Sequence, residues 1–197
     1  MVHAPEMPRT KRAAPEPRLS AADWEAAAID ALADAGVAGV AIEPLARRLG
    51  VTKGSFYWHF ANRDALLAAA LRRWEEGNTE RVIAGVADVA DPRQRLRRLI
   101  GSVVRGGRSD RIHIALATAK HPLVRAALAR VTHRRLAYLE SCYVELGQPR
   151  RAARRSALAA YTAYVGLVHL RLEAPTELPG DDALAAYVDH LVDELVP

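Results

Sequence analysis

The sequence predicts an all-α protein, and three features carry that expectation. Half of its residues are hydrophobic while only 6% are aromatic, and Ala, Leu, Val and Arg dominate, a mixture that favours helix because unbranched side chains lose little freedom there. Apolar residues recur at the i, i+3, i+4, i+7 spacing of a helix face. No stretch alternates apolar and polar residues in the manner of a half-buried strand. At 197 residues the chain can bury one substantial core, or a small domain plus a larger one, without disulfides or metal.

Residues 1–18 hold Pro5, Pro8, Pro15 and Pro17 among Arg9, Lys11, Arg12 and Arg18, without apolar periodicity, and read as a disordered basic arm. Such an arm could lie along DNA phosphates; a solvated tail with no role is an equal alternative. Order is expected from Ser20, three residues before Asp23 as in a capping box, leading a helix with Trp24, Ala28, Ile29 and Leu32 on its apolar side. Gly36 should end it. A shorter helix follows with Ile42, Leu45, Ala46 and Leu49 on one face, Pro44 being tolerable in its first turn, and Gly50 stops it.

Thr52 is placed to cap a third helix, with Val51 packing on Phe56 as a hydrophobic staple. Asn62 is the next cap, opening a long helix through Leu66, Leu67, Ala70, Leu71 and Trp74 to about Val86. Further helices are expected over about 92–105, 110–120, 122–146, 150–173 and 181–196, broken at Gly106-Gly107, His121-Pro122, Gly147-Gln148-Pro149 and the loop from Pro175 to Gly180. The total is eight or nine helices.

The formal charge of +5 and the pI near 9.7 suit a polyanionic partner, although basic surfaces also meet membranes and acidic proteins. A single cysteine, Cys142, excludes a disulfide framework within the chain and any multi-cysteine zinc site, and fits a reducing compartment, so cytoplasm is expected. The longest uncharged run, Ser156 to Leu170, is 15 residues and contains His169, which reads as a buried helix rather than a membrane span. No apolar stretch follows the basic N-terminus, so no secretory signal is expected.

The second and third helices have the requirements of a helix-turn-helix, in which one helix braces another that enters the major groove. Leu45, Ala46 and Leu49 supply the bracing face, Gly50 the turn, and Val51 with Phe56 the pin. At about 100° per residue, Gly54 and Trp58 fall opposite Phe56, with Ser55 and Tyr57 on the flanks. Gly54 would let a backbone come close to DNA, Thr52 and the free N–H groups of the helix start could hold a phosphate, and Lys53 adds charge. Between Ile42 and Asp64, Arg47, Arg48, Lys53 and Arg63 face only two acids, Glu43 and Asp64. Phe56 and Phe60 are expected in the core, whereas four adjacent aromatics, with Tyr57 and Trp58 added, exceed what so small a domain can bury.

The run Leu45-Ala-Arg-Arg-Leu-Gly-Val-Thr-Lys-Gly-Ser-Phe-Tyr-Trp-His-Phe60, followed by Asn62-Arg-Asp-Ala-Leu-Leu67, resembles the signature of TetR-family repressors over about residues 20–71. The resemblance implies a three-helix DNA-binding domain over 19–64 and a helical ligand-binding and dimerisation domain over 65–197. A long fourth helix joins them, and a small molecule relieves repression. It makes Thr52, Lys53, Tyr57 and His59 phosphate or groove contacts and Ser55 and Trp58 base readers, and Arg47, Arg48 and Gly54 complete the expected DNA-binding set. Where the family commonly has Ser or Thr before the second helix, this chain has Val40 and Ala41.

The resemblance also implies a homodimer through the last two helices. The nearly all-round apolar segment 157–170 supports this independently, as does the stripe Leu184, Tyr187, Val188, Leu191, Val192 and Leu195. A symmetric dimer would read a palindromic operator in half-sites roughly 34–36 Å apart. Candidate ligand-binding residues are Trp74, His113, His121, Tyr138, Cys142, Tyr143, Tyr161 and Tyr164, polar or aromatic groups in largely apolar helices; for any one of them an ordinary core or surface role is the commoner case. The seven arginines between Arg93 and Arg111 read first as a solvated helix face.

An enzyme is not expected. The sequence has no Gly-rich phosphate loop, no His-Glu-x-x-His pair and no nucleophile elbow. His169 with Glu173 and His190 with Glu194 stand one helical turn apart, but two ligands without a third make a poor metal site. No cofactor is therefore expected. The alternative to a ligand-released repressor is a DNA-binding protein controlled by a protein partner or by no ligand at all.

Overall fold

The computed structural model describes residues 19–104 and 108–197. The basic arm over 1–18 and the Gly106-Gly107 break lie outside the described residues. Within them the chain is helical without a strand: α1 (Ala21–Gly39), α2 (Ile42–Arg48), α3 (Lys53–Phe56), α4 (Arg63–Glu75), α5 (Arg81–Ala87), α6 (Pro92–Val104), α7 (Arg108–Ala117), α8 (Pro122–Glu145), α9 (Arg150–Glu173) and α10 (Asp181–Leu195). A π-helical turn over Glu76–Glu80 joins α4 to α5 without a break, so the expected long helix is one rod with a bulge in its middle. Counting that rod once gives nine helices among the described residues, within the eight or nine expected.

Local chemistry accounts for most boundaries. The Ser20 amide and hydroxyl both donate to the Asp23 carboxylate at 2.7 Å, which opens α1 and holds that carboxyl below its usual pKa. The helical path of α1 is interrupted at Ala35 and Gly36, Gly36 taking φ +61°, and a last turn carries the chain on to Val40. Asn62 accepts from the Ala65 amide at 2.9 Å and caps α4. His121 does the same for α8, its ring accepting from the Leu123 amide at 3.3 Å.

Two buried clusters hold the helices together. The first joins Trp24, Ala28 and Leu32 of α1 to Leu45, Phe56 and Leu66, and runs on to Trp74, to Ile112 and Leu116 of α7, and to Val124, Ala127 and Val131 of α8. Packing is thus continuous across the boundary expected at 64/65. The second cluster joins Leu96 and Ile100 of α6 to Cys142 and Tyr143 of α8, Ala153 and Ala157 of α9, and Val188 and Val192 of α10. The rod passes from the first cluster to the second, because Leu66 and Trp74 belong to one and Val86 to the other.

Candidate functional site

The turn between α2 and α3 depends on Gly50, whose φ is +69°, a left-handed conformation that costs most L-residues roughly 1–2 kcal/mol. The Val51 amide bonds back to Ala46 at 3.0 Å, which sets α3 against α2. Thr52 takes the N-cap position, but its hydroxyl makes no capping bond. This corrects the expected cap and leaves the side chain exposed. Phe56 is fully buried, edge-on to Trp24 at 5.3 Å and stacked on Phe60 at 5.7 Å. This aromatic pin fixes the orientation of the exposed side of α3.

The α-helical wheel drawn from the sequence holds only as far as Phe56. Beyond it the amides of Tyr57, Trp58 and His59 bond three residues back, to Gly54 at 3.2 Å, Ser55 at 3.4 Å and Phe56 at 2.9 Å. This tighter turn eclipses residues three apart, so Trp58 stands in register with Ser55. Trp58 is 88% exposed and Tyr57 55%, large aromatic areas left in water, and Lys53 and Gly54 are exposed beside them.

The charges around α3 are engaged with one another. Lys53 donates to Glu43 at 2.9 Å, and the pair lowers the Glu43 pKa and raises that of Lys53, the hydrogen bond being the main cause. Both groups are exposed, so water and salt screen the pair and a phosphate can compete for the ammonium. Arg48 reaches back to Asp30 at 2.7 Å and Asp34 at 3.8 Å on α1, whereas Arg47 is exposed on α2. Arg63 has a structural task. Its guanidinium donates to the Val40 carbonyl at 2.6 Å and the Val37 carbonyl at 2.5 Å, tying the start of α4 to the end of α1. Counting charges in the sequence did not distinguish it from the others.

The second feature is a cavity between the bulged rod, α6, α8 and α9. Val82, Ile83, Leu99, Ile100 and Leu139 form an aliphatic wall, and Tyr138, Tyr161 and Tyr164 bring ring edges and hydroxyls. The Tyr161 hydroxyl pairs with Thr132 at 3.1 Å. Arg135 is the one charged side chain among the described lining residues. It donates to Thr79 at 3.0 Å and to the Asn78 carbonyl at 3.1 Å, both in the π-helical turn.

Of the residues expected at a ligand site, the structure brings Tyr138, Tyr161 and Tyr164 together on this cavity. His113 stands behind Tyr164, ring centroids 6.1 Å apart. Burial with Arg135 nearby pushes its pKa down to about 4, and its Nδ1 has no hydrogen-bond partner among the described residues. Trp74 lines a separate hollow with Ile29 and Ile112, His121 caps α8, and Cys142 and Tyr143 are sealed in the second cluster. Sequence reasoning missed Arg135, Thr79 and Asn78. The signal was present for Arg135, which with Val131, Leu139 and Cys142 follows the spacing of the buried face of α8.

The remaining candidates are dispersed. In the arginine run, Arg95 pairs with Glu145 at 2.7 Å and Arg97 with Asp193 at 2.5 Å, lashing α6 to α8 and α10. His169, Glu173, His190 and Glu194 are all exposed, and among the described residues no three His, Cys, Asp or Glu gather as a metal site. No described helix is long and apolar enough to cross a membrane.

Residues 26–70 match the profile of the bacterial regulatory proteins of the tetR family. The tetracycline repressor protein class A from transposon 1721 of Escherichia coli is 51% identical over 43 residues, which is 22% of this chain and 20% of the repressor. The match therefore spans only about a fifth of that curated relative. Similarity of fold extends further. A transcriptional regulator from Rhodococcus sp. Rha1 superimposes with a TM-score of 0.72 at 22% identity, over 90% of this chain and 94% of the other. The regulator FadR from Bacillus subtilis, in complex with stearoyl-CoA, does so at 0.68 and 15% identity over 90% and 98%. AibR in complex with isovaleryl coenzyme A and operator DNA follows at 0.64 and 23% over 89% and 98%.

Proposed function

We propose that the chain, whose N-terminal helices match the tetR family of bacterial regulatory proteins over residues 26–70, is a sequence-specific DNA-binding transcriptional repressor of that family, released from its operator by a small molecule. The observation that carries the reading is the pinned α3, with Phe56 buried beneath Tyr57 and Trp58 held out in water. The DNA-facing set proposed is Arg47, Arg48, Thr52, Lys53, Gly54, Ser55, Tyr57, Trp58 and His59.

The cavity on the rod supports the effector half of the reading, because the rod that begins at Asn62 also carries the packing of the first cluster. Regulators of this fold occur in complex with coenzyme A thioesters, one of them with operator DNA as well. A ligand that prefers a different setting of the rod weakens DNA binding by the factor by which DNA weakens its own. The exposed sides of α9 and α10 support a homodimer. Leu158, Ala159, Thr162, Gly166 and Leu170 on one helix, and Ala183, Ala186 and Tyr187 on the other, leave small and apolar groups in water, where a second copy can pack closely.

Selection of bound fragments from random duplex DNA, followed by titration of the winner at two salt concentrations, tests the reading. A palindromic winner is expected, bound more weakly at higher salt and about ten-fold or more weakly by Tyr57→Ala. No enriched sequence, or binding indifferent to Tyr57, would remove the DNA-reading role from α3.

A further inference from the structure

The geometry points to Arg135 as the anchor for the head of the effector, a small monocarboxylate with an apolar body, which on binding draws that guanidinium away from the π-helical turn. The inference rests on the ligand-released reading above and names the ligand class of that site. Three arginines of α8 meet the rod. Arg130 pairs with Glu75 and Arg134 with Glu80, so each has a carboxylate. Arg135 has none within ion-pair distance among the described residues, and its partners are the neutral oxygens of Thr79 and Asn78. It is also the arginine that lines the cavity.

A half-buried guanidinium without a counterion is costly, and a bidentate carboxylate relieves that cost with matched geometry. The plane is already held, since the guanidinium lies 5.8 Å over the Tyr164 ring. One cation matches one negative charge. A phosphate dianion would leave one charge without a cation among the described lining residues, and the aliphatic wall of Val82, Ile83, Leu99 and Ile100 suits an alkyl or aryl body. Thr79 is only 3% exposed. The competition for Arg135 therefore reaches the backbone of the rod, because the Asn78 carbonyl that it satisfies belongs to the bulge itself.

The test is a thermal-shift titration of the full chain with matched probes, octanoate against octanamide and 3-phenylpropionate against 3-phenylpropanamide. It is run on the wild type, Arg135→Met and Thr79→Val, with retention of the selected operator duplex followed in parallel and folding checked by circular dichroism. The acids are expected to stabilise the wild type more than the amides do and to displace the duplex. Arg135→Met should lose the acid preference, and Thr79→Val, which removes one of the two oxygens competing for the guanidinium, should bind octanoate several-fold more tightly. Amides bound as well as acids, an acid preference that survives Arg135→Met, or no binding by any probe would overturn the anchor. If Arg135→Met does not fold, unchanged or weaker octanoate binding by Thr79→Val overturns it instead. Release of the duplex by an amide or by octanoyl coenzyme A without acid preference removes the anchor and leaves ligand release standing. Acids bound through Arg135 with the duplex retained remove ligand release instead.

Discussion

Phe56, Tyr57 and Trp58 are neighbours in sequence with opposite fates, and the difference lies in which of them meets Trp24 and Phe60. Because Phe56 is fully buried between those rings, Phe56→Ala should cost about 3–5 kcal/mol of stability, read as a lower urea midpoint, and should take DNA binding with it. His113 makes a pH-dependent contribution. Its folded pKa of about 4 lies below the ordinary histidine value of 6.5, so well above pH 6.5 the ring is neutral in both states and carries no penalty. As pH falls from 6.5 towards 4, the unfolded chain takes up a proton that the folded one refuses, and stability drops. Between about pH 7 and pH 5 the loss should be about 2 kcal/mol. His113→Phe should show a urea midpoint flatter by that amount over the same range, and an unchanged slope would mean the ring titrates normally.

At the scale of elements, α3 is a short helix with a tight last turn, and Gly54 sits on its exposed side with an ordinary φ. A Cβ there would meet only the Thr52 hydroxyl, at 3.7 Å, so Gly54→Ala should stabilise the fold by about 0.5–1 kcal/mol. It should nevertheless weaken operator binding, because the added methyl stands where a phosphate or base edge would approach. A thermal melt and an anisotropy titration of the same variant read both effects, and improved stability with unchanged affinity would place DNA elsewhere. The rod makes a second contrast. Gly77 and Asn78 are poor helix formers, and at the π-helical turn that holds them the Asn78 carbonyl accepts a hydrogen bond from Arg135 of another helix.

For the whole molecule, the two buried clusters meet along the rod, and the exposed small and apolar residues of α9 and α10 lie at the far end from α3 in chain order. Leu158 is 50% exposed although it is a large aliphatic residue in the middle of α9. Leu158→Glu should leave the helical content intact and shift the mass measured by light scattering from dimer to monomer. Operator affinity should fall by about ten-fold or more, because each half-site would then be bound alone. A wild type that is monomeric at micromolar concentration would refute the dimer.

The sequence by itself determined the helices and the α2–α3 motif, because these depend on local chemistry: caps at Ser20 and Asn62, glycine at the Gly50 turn, and a 3.6-residue apolar period. Even the rod from Asn62 to about Val86 was legible to within a residue or so. Only the tertiary structure decided the bulge in that rod, the tight last turn of α3 and the composition of the cavity. Tyr138, Tyr161 and Tyr164 were legible as candidates but not as neighbours, and Trp74, His121 and Cys142 looked equivalent to them until packing separated their surroundings. Arg63 and Arg135 were hidden for the same reason. What an arginine does is fixed by the oxygens it reaches, and for these two the partners stand 23 to 57 residues away along the chain.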